Sequence, residues 1–134
     1  MQHQAFRRIL GSTVLAASLA VLAACSSMSA EAPAPAKVAD GVFTDSKGMT
    51  LYTYDKDTAP GKSACNGPCA TNWPPLMVAD GASASGDWSV ATRDDGKKQW
   101  AYKGKPVYTW VKDTKPGDKT GEGAGGNTWH VAKP

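Results

Sequence analysis

Tyr-Thr-Tyr-Asp-Lys-Asp at residues 52–57 and Tyr-Thr-Trp-Val-Lys-Asp at residues 108–113 are two versions of one short motif. Both lie within a longer internal match, in which residues 47–73 align without a gap to residues 103–129. Of the 27 aligned positions, 11 are identical. A match of this length indicates that one structural unit is present twice. The sequence therefore predicts a domain built from two similar halves.

Each copy of the motif alternates aromatic and polar residues, a pattern typical of a β-strand with one buried face. Tyr52 and Tyr54 fall on one face of the first strand, and Tyr108 and Trp110 fall on one face of the second. Aliphatic residues cannot supply the core, because the chain after residue 24 has no Ile and only two Leu. We therefore expect the aromatic faces of these strands to be buried.

Short turn sequences separate the predicted strands. They are Ser46-Lys47-Gly48, Asp94-Asp95-Gly96 and Lys103-Gly104. Glycine readily adopts the left-handed backbone conformation that tight hairpins require. With the repeat, these turns predict an all-β domain at residues 38–134. In it, two similar antiparallel meander repeats, at about 38–77 and 87–134, pack as a small sandwich without a long helix.

The N-terminal segment has the features of a signal peptide. Arg7 and Arg8 precede a stretch of 16 apolar and small residues, which is too short to span a bilayer comfortably. We therefore expect residues 1–24 to be removed. The chain that remains has 13 basic and 12 acidic residues and no basic stripe, which argues against a nucleic-acid binder.

The end of this leader, Leu22-Ala23-Ala24-Cys25, resembles the bacterial lipobox, in which the cysteine receives a lipid. Cys25 is therefore the predicted lipidation site, and several acyl chains would hold the protein stably in a membrane. Ser26 follows it, and a residue other than Asp there is expected to permit sorting to the outer membrane. Residues 25–37, rich in Pro, Ala and Ser, predict an extended tether. We expect a lipoprotein of the cell envelope.

The repeated motif resembles that of a bacterial family of secreted, often lipid-anchored proteins, which is defined by Tyr-x-(Phe/Trp/Tyr)-x-x-Asp. The Cys-containing insertion of that family is matched at residues 65–69, and its Trp-Pro-Pro at residues 73–75. The resemblance covers nearly all of residues 38–134. Because the family has no assigned molecular function, the resemblance supports the architecture and leaves the activity open.

Cys65 and Cys69 allow two interpretations. In an oxidising envelope, two cysteines four residues apart are expected to form a disulfide that fixes the turn between them. Alternatively, the pair could act with His130, the one histidine after the leader, in a periplasmic copper-binding or thiol-redox protein. The disulfide is the favoured interpretation, since a metal site of this kind usually needs more ligands.

Asp57 and Asp113 end the two copies of the motif and precede Thr-x-Pro-Gly turns, where a carboxylate can accept backbone N–H bonds and fix the loop. A glycosidase-like carboxylate pair and a calcium site are weaker alternatives. The sequence thus favours a non-enzymatic binding or structural module, with no cofactor and with an envelope protein or a glycan as partner. The predicted site residues are Cys25 for the lipid, Cys65 and Cys69 for the disulfide, and Tyr52, Tyr54, Asp57, Tyr108, Trp110 and Asp113 of the motif, without catalytic or metal-binding residues.

Overall fold

Seven short strands and two short helical segments form the part of the chain that the computed structural model describes, which is residue 11 and residues 34–134. In chain order they are β1 (Lys37–Ala39), β2 (Val42–Thr44), β3 (Tyr52–Tyr54), α1 (Pro68–Asn72), β4 (Trp88–Thr92), β5 (Lys98–Tyr102), β6 (Lys105–Pro106), α2 (Ala124–Asn127) and β7 (Trp129–Val131). The all-β sandwich with two repeats is confirmed. The predicted leader, Cys25 and most of the tether lie outside the described residues.

The predicted hairpin turns close antiparallel strand pairs. β4 pairs with β5 across the turn at residues 94–96, and β5 pairs with β6 across Lys103 and Gly104. Lys103 and Gly104 have φ values of 48° and 82°, so both central residues of this two-residue turn are left-handed, as a type I′ turn requires. Glycine makes the second position possible without strain. This hairpin was therefore predicted correctly.

The two repeats exchange strand partners, which the sequence had not indicated. β3 of the first repeat pairs with β7 of the second, with Tyr54 opposite Trp129. The equivalent pairing occurs in the other direction, because Thr109 N–H donates to the carbonyl of Pro74 over 2.8 Å. Each motif strand is therefore completed by the end of the other repeat, whereas β1 and β2 form a sheet within the first repeat and β4, β5 and β6 form one within the second.

Two hydrophobic clusters fill the interior, and both contain several aromatic rings, as predicted. The first contains Ala36, Phe43, Leu51, Trp88, Trp100, Val107 and Ala132. The second contains Tyr52, Cys65, Trp73, Tyr108 and Trp129 and lies where the motif strands meet. Tyr52 and Tyr108 are completely buried, while Tyr54 and Trp110 are half-buried. The motif strands thus carry the second cluster.

The folded part begins slightly before residue 38, the boundary expected from composition. Ala36 is buried in the first cluster, and Lys37 is the first residue of β1, opposite Thr44. A lone small residue after a Pro-Ala segment gives no periodic signal, so the sequence placed both residues in the tether. Among the described residues, no helix has the length and apolar character needed to cross a membrane.

Candidate functional site

The tyrosine of each motif bonds to the aspartate of the other motif. Tyr52 Oη donates to Asp113 Oδ2 over 2.5 Å, and Tyr108 Oη donates to Asp57 Oδ2 over 2.6 Å. The backbones of the two tyrosines also pair directly. The structure therefore brings the four polar motif residues together in two matching pairs, each of which joins the first repeat to the second.

The same aspartates hold the loops that follow them. Asp57 Oδ1 accepts the backbone N–H of Ala64 over 2.6 Å, and Asp113 Oδ1 accepts that of Thr120, the equivalent residue, over 3.0 Å. Thr120 Oγ1 also donates to Asp113. Each carboxylate thus links its own loop to the other repeat. Two carboxylates engaged in this way do not resemble a glycosidase pair, in which one carboxyl must be free to protonate the substrate.

Burial and the carboxylate contacts determine how these groups ionise. Burial, and then the hydrogen bond to an aspartate, raise the pKa of both Tyr52 and Tyr108 well above the ordinary value for tyrosine. Burial also raises the pKa of Asp57, although the hydrogen bond from Tyr108 opposes this effect. At neutral pH both phenols are therefore protonated donors, which is what their contacts with the aspartates require.

The outer aromatic residues of the motifs, Tyr54 and Trp110, are the two ends of a stack of four rings. Tyr54 stacks on Trp129, Trp129 on Trp73, and Trp73 on Trp110, with centroid distances of 4.2, 3.8 and 3.9 Å. The two central rings are almost parallel, at 2°. Because the rings come alternately from the two repeats, the stack adds a second connection between them. Aromatic pairs of this kind contribute about 0.5–1.5 kcal/mol each beyond the burial of their area.

A disulfide joins Cys65 and Cys69, whose Cα atoms are 5.2 Å apart, and it encloses the turn at residues 66–68. The pair is therefore present as the predicted bridge. The equivalent positions of the second repeat are Gly121 and Gly125. A Cβ atom at Gly121 would lie 2.8 Å from the Trp73 ring and 2.9 Å from the Tyr52 ring, so a cysteine there would not fit.

Arg93 holds the disulfide loop from inside the protein, and the sequence analysis missed this residue. Its buried guanidinium donates to the carbonyl of Cys65 over 2.6 Å and to Gln99 Oε1 over 2.7 Å. It also donates to Ser63 Oγ, which is 2.6 Å from Tyr108 Oη. Arg93 thus connects the loop to a Tyr–Asp pair. The sequence does contain one indication that this residue has a special role: Arg93 is the only arginine after residue 24, where there are twelve lysines.

His130 lies between two carboxylates, and its hydrogen-bond partners do not include Cys65 or Cys69. Its Nε2 is 3.0 Å from Asp55 Oδ2, and its Nδ1 is 3.3 Å from Glu122 Oε1. The two carboxylates contact opposite sides of the ring, so they do not converge on a common point. Within residue 11 and residues 34–134, no group of three or more His, Cys, Asp or Glu residues is arranged to hold a metal ion. The copper-binding alternative gains no support.

The comparison with protein families matches both halves of the chain. A family profile described as a secreted repeat of unknown function matches residues 35–77 and again residues 89–133. These ranges correspond to the two repeats expected from the sequence, at about 38–77 and 87–134. Neither the curated proteins nor the solved structures include a match to this chain. The chain belongs to the family of secreted repeats of unknown function.

Proposed function

We propose that this protein is a lipid-anchored, non-enzymatic binding or structural module of the bacterial cell envelope, held in the outer membrane by a lipid on Cys25. The lipobox-like sequence that ends at Cys25 and the Ser26 that follows it support the anchor and its location. Membership of a secreted family supports a site of action outside the cytoplasm. The folded domain is then held about 35 Å or less from the membrane by the extended tether.

The observation that carries the non-enzymatic assignment is the reciprocal pairing of Tyr52 with Asp113 and of Tyr108 with Asp57. These are the polar residues that define the motif in both repeats. Their hydroxyl and carboxylate groups are used to join the repeats and to hold loops, so they serve the architecture. Such a rigid frame is suited to presenting loops to another molecule of the envelope, either a protein or a glycan.

Two exposed loops are the best candidates to contact that partner. They follow the motifs at residues 58–64 and 114–120, and the Asp57 and Asp113 carboxylates fix their ends. Fixing a loop before binding lowers the entropy that binding would otherwise cost. The proposed module therefore binds through these loops, and the motif residues determine their shape.

The anchor is tested by replacing the predicted lipid acceptor. We expect wild-type protein to fractionate with the membrane and to carry the mass of acyl chains on Cys25. The Cys25→Ser variant should lose both properties, while Cys65→Ser should retain them. Wild-type protein recovered from the soluble periplasmic fraction without acyl chains would contradict the anchor.

The non-enzymatic role is tested by separating folding from function. A photo-crosslinking residue placed at Thr58 or Thr114 should capture the same envelope partner in cells, whereas one placed at the disulfide-loop residue Pro68 should not. Asp57→Asn and Asp113→Asn should reduce capture only as far as they lower the folded fraction. A variant that stays folded and keeps its partner, yet abolishes a chemical conversion in the envelope, would contradict the proposal.

A further inference from the structure

A groove of about 250 Å³ lies between the Lys103-Gly104 turn and the segment that follows β7. Lys103, Lys105 and Lys133 line it together with Pro134; its walls contain no acidic side chain, and a carboxylate at Pro134 would offset at most one of the three positive charges. All three lysines are exposed, and none forms an ion pair with another residue of the range 34–134. We call this feature the basic groove. Three like charges around one space create a positive potential that attracts anions.

The basic groove differs from other lysine-lined depressions on this protein. In those, aspartates lie beside the lysines and offset their charge. Asp80 lies beside Lys97 and Lys98 in one depression. Asp57 and Asp94 lie beside Lys56 and Lys62 in another. The excess of positive charge is therefore a local property of the basic groove. It does not follow from the overall composition, which is nearly balanced.

The groups that line the basic groove suit a phosphate. Thr53 and Tyr102 add hydroxyl groups to the three ammonium groups, and both types of donor bind phosphate oxygens. Both the backbone and the side chain of Lys103 are held in place before a ligand binds. The backbone N–H donates to the carbonyl of Asp87 over 2.8 Å, and the ammonium nitrogen lies 5.3 Å from the centre of the Tyr102 ring.

The basic groove lies close to the point where the predicted tether enters the domain. Phe43 connects the two: its N–H donates to the carbonyl of Ala132 over 2.8 Å, and its ring is 4.6 Å from that of Tyr102. Ala132 and Tyr102 both line the groove. Across the sheet, Phe43 pairs with Val38 of β1, the strand that follows the tether. A tether fixed in a membrane would therefore hold this end of the domain near the lipid headgroups.

We propose that the basic groove binds the phosphate of anionic lipid headgroups in the membrane that carries the protein. The inference rests on the proposed lipid anchor for the identity of the ligand. The anchor supplies a high local concentration of headgroups, so even a weak phosphate site would be occupied. Binding there would place the domain directly on the membrane surface, with the tether slack.

The phosphate chemistry is tested on the full chain in detergent micelles, with inorganic phosphate as the probe. In NMR spectra we expect saturable shifts at the amides of Lys103, Lys105 and Lys133. The triple variant Lys103→Asn, Lys105→Gln, Lys133→Gln should bind phosphate at least several-fold more weakly, because it removes all three ammonium donors. Asn is chosen at residue 103 because Asn-Gly is the preferred pair for a type I′ turn.

A matched triple variant controls for net charge. Lys47→Gln, Lys56→Gln and Lys97→Gln remove three exposed lysines that do not line the basic groove, and they should leave phosphate binding unchanged. Equal weakening in the two triple variants would overturn the proposal, because it would show that phosphate responds only to total charge.

The source of the phosphate is tested with acylated wild-type protein in vesicles of phosphatidylcholine, alone or mixed with phosphatidylglycerol. In the mixed vesicles, Lys103, Lys105 and Lys133 should react several-fold more slowly with an amine-specific reagent, while Lys97, at the opposite end of β5, should be unaffected. If the three lysines are not protected in the mixed vesicles but the protein still binds inorganic phosphate, the lipid assignment is overturned and the ligand is a dissolved phosphate compound. The intact mass of the protein reports acylation of Cys25 separately, so a failed anchor and a failed groove give different results.

Discussion

Tyr52 and Tyr108 exchange both of their backbone hydrogen bonds: Tyr52 N–H donates to the carbonyl of Tyr108 over 2.8 Å, and Tyr108 N–H donates to that of Tyr52 over 2.9 Å. The two residues occupy the same position in the two repeats. Their side chains then extend to Asp113 and Asp57, each in the opposite repeat. The chain is therefore organised around an approximate two-fold axis that passes between these tyrosines.

Crossed pairing makes a specific prediction about energetic coupling. In a double-mutant cycle, Tyr52→Phe and Asp113→Ala should couple by about 0.5–3 kcal/mol in the free energy of unfolding, because they remove the two ends of one hydrogen bond. Tyr108→Phe and Asp57→Ala should behave in the same way. Urea denaturation of the four single and two double variants measures both values.

The control for this cycle lies within each repeat. Tyr52→Phe with Asp57→Ala, and Tyr108→Phe with Asp113→Ala, should be nearly additive, because these residues share no hydrogen bond. If an alanine variant does not fold, asparagine at the same position gives a milder cycle. Stronger coupling within a repeat than between repeats would contradict the exchanged arrangement.

Removal of the disulfide should have a modest effect. Cys65→Ser with Cys69→Ser should lower the free energy of unfolding by about 2 kcal/mol, since the bridge closes a very short loop. The loop should keep its position because Arg93 still binds the carbonyl of residue 65. Thermal denaturation measures the loss, and hydrogen exchange should show faster exchange confined to residues 65–72. Unfolding of the whole domain would contradict this prediction.

Replacement of Arg93 should cost more than loss of the disulfide. Arg93→Met removes a buried charge with its hydrogen bonds, so the carbonyl of Cys65 and Oε1 of Gln99 lose the donors that bind them at 2.6 and 2.7 Å. We expect a loss of about 3 kcal/mol or more, measured by urea denaturation. The stability of Arg93→Lys should lie between those of wild type and Arg93→Met, because an ammonium cannot reach both acceptors with the same geometry. Lys98→Met, an exposed control, should change stability by about 0.5 kcal/mol or less.

His130 should make stability depend on pH. Hydrogen bonds to Asp55, and then to Glu122, raise the pKa of the imidazole. Because the folded pKa lies above the unfolded value of about 6.5, the contribution is complete below that pH and is lost as the pH rises through the folded pKa. The difference in melting temperature between wild type and His130→Gln should therefore shrink with rising pH.

An NMR titration of the His130 ring gives the folded pKa directly and fixes this pH range. Asp55→Asn should lower that pKa, whereas Asp45→Asn, which removes a half-buried carboxylate in a turn without a contact to His130, should not. A pKa for His130 at or below the value of a free histidine would contradict the arrangement.

The sequence predicted the local features of this fold but not the connections between repeats. Alternation in Tyr52-Thr53-Tyr54 placed the aromatic rings inside, and Lys103-Gly104 specified a tight hairpin. The partner of Tyr52 could not be deduced, however, because Asp57 and Asp113 end two versions of the same motif and are chemically equivalent. Only the distances in the folded chain distinguish a bond within one repeat from a bond between repeats.

Arg93 and Ala36 were missed for a different reason. Arg93 directly precedes Asp94-Asp95-Gly96, and an arginine beside a turn of this composition is usually exposed. Its burial depends on acceptors at Cys65 and Gln99, which come from separate segments. Ala36 has a side chain too small to create an apolar pattern. Sequence patterns report on neighbours along the chain, whereas these two residues are positioned by distant ones.

The pairing of Tyr52 with Tyr108 has a consequence for the folding of this chain. Equivalent residues that meet across a two-fold axis are the signature of an isologous interface between identical subunits. A polypeptide that carried one such repeat could satisfy its tyrosine and its aspartate by associating with a second copy of itself. The present protein has the arrangement of a symmetric homodimer within one chain, and the covalent connection makes its folding independent of protein concentration.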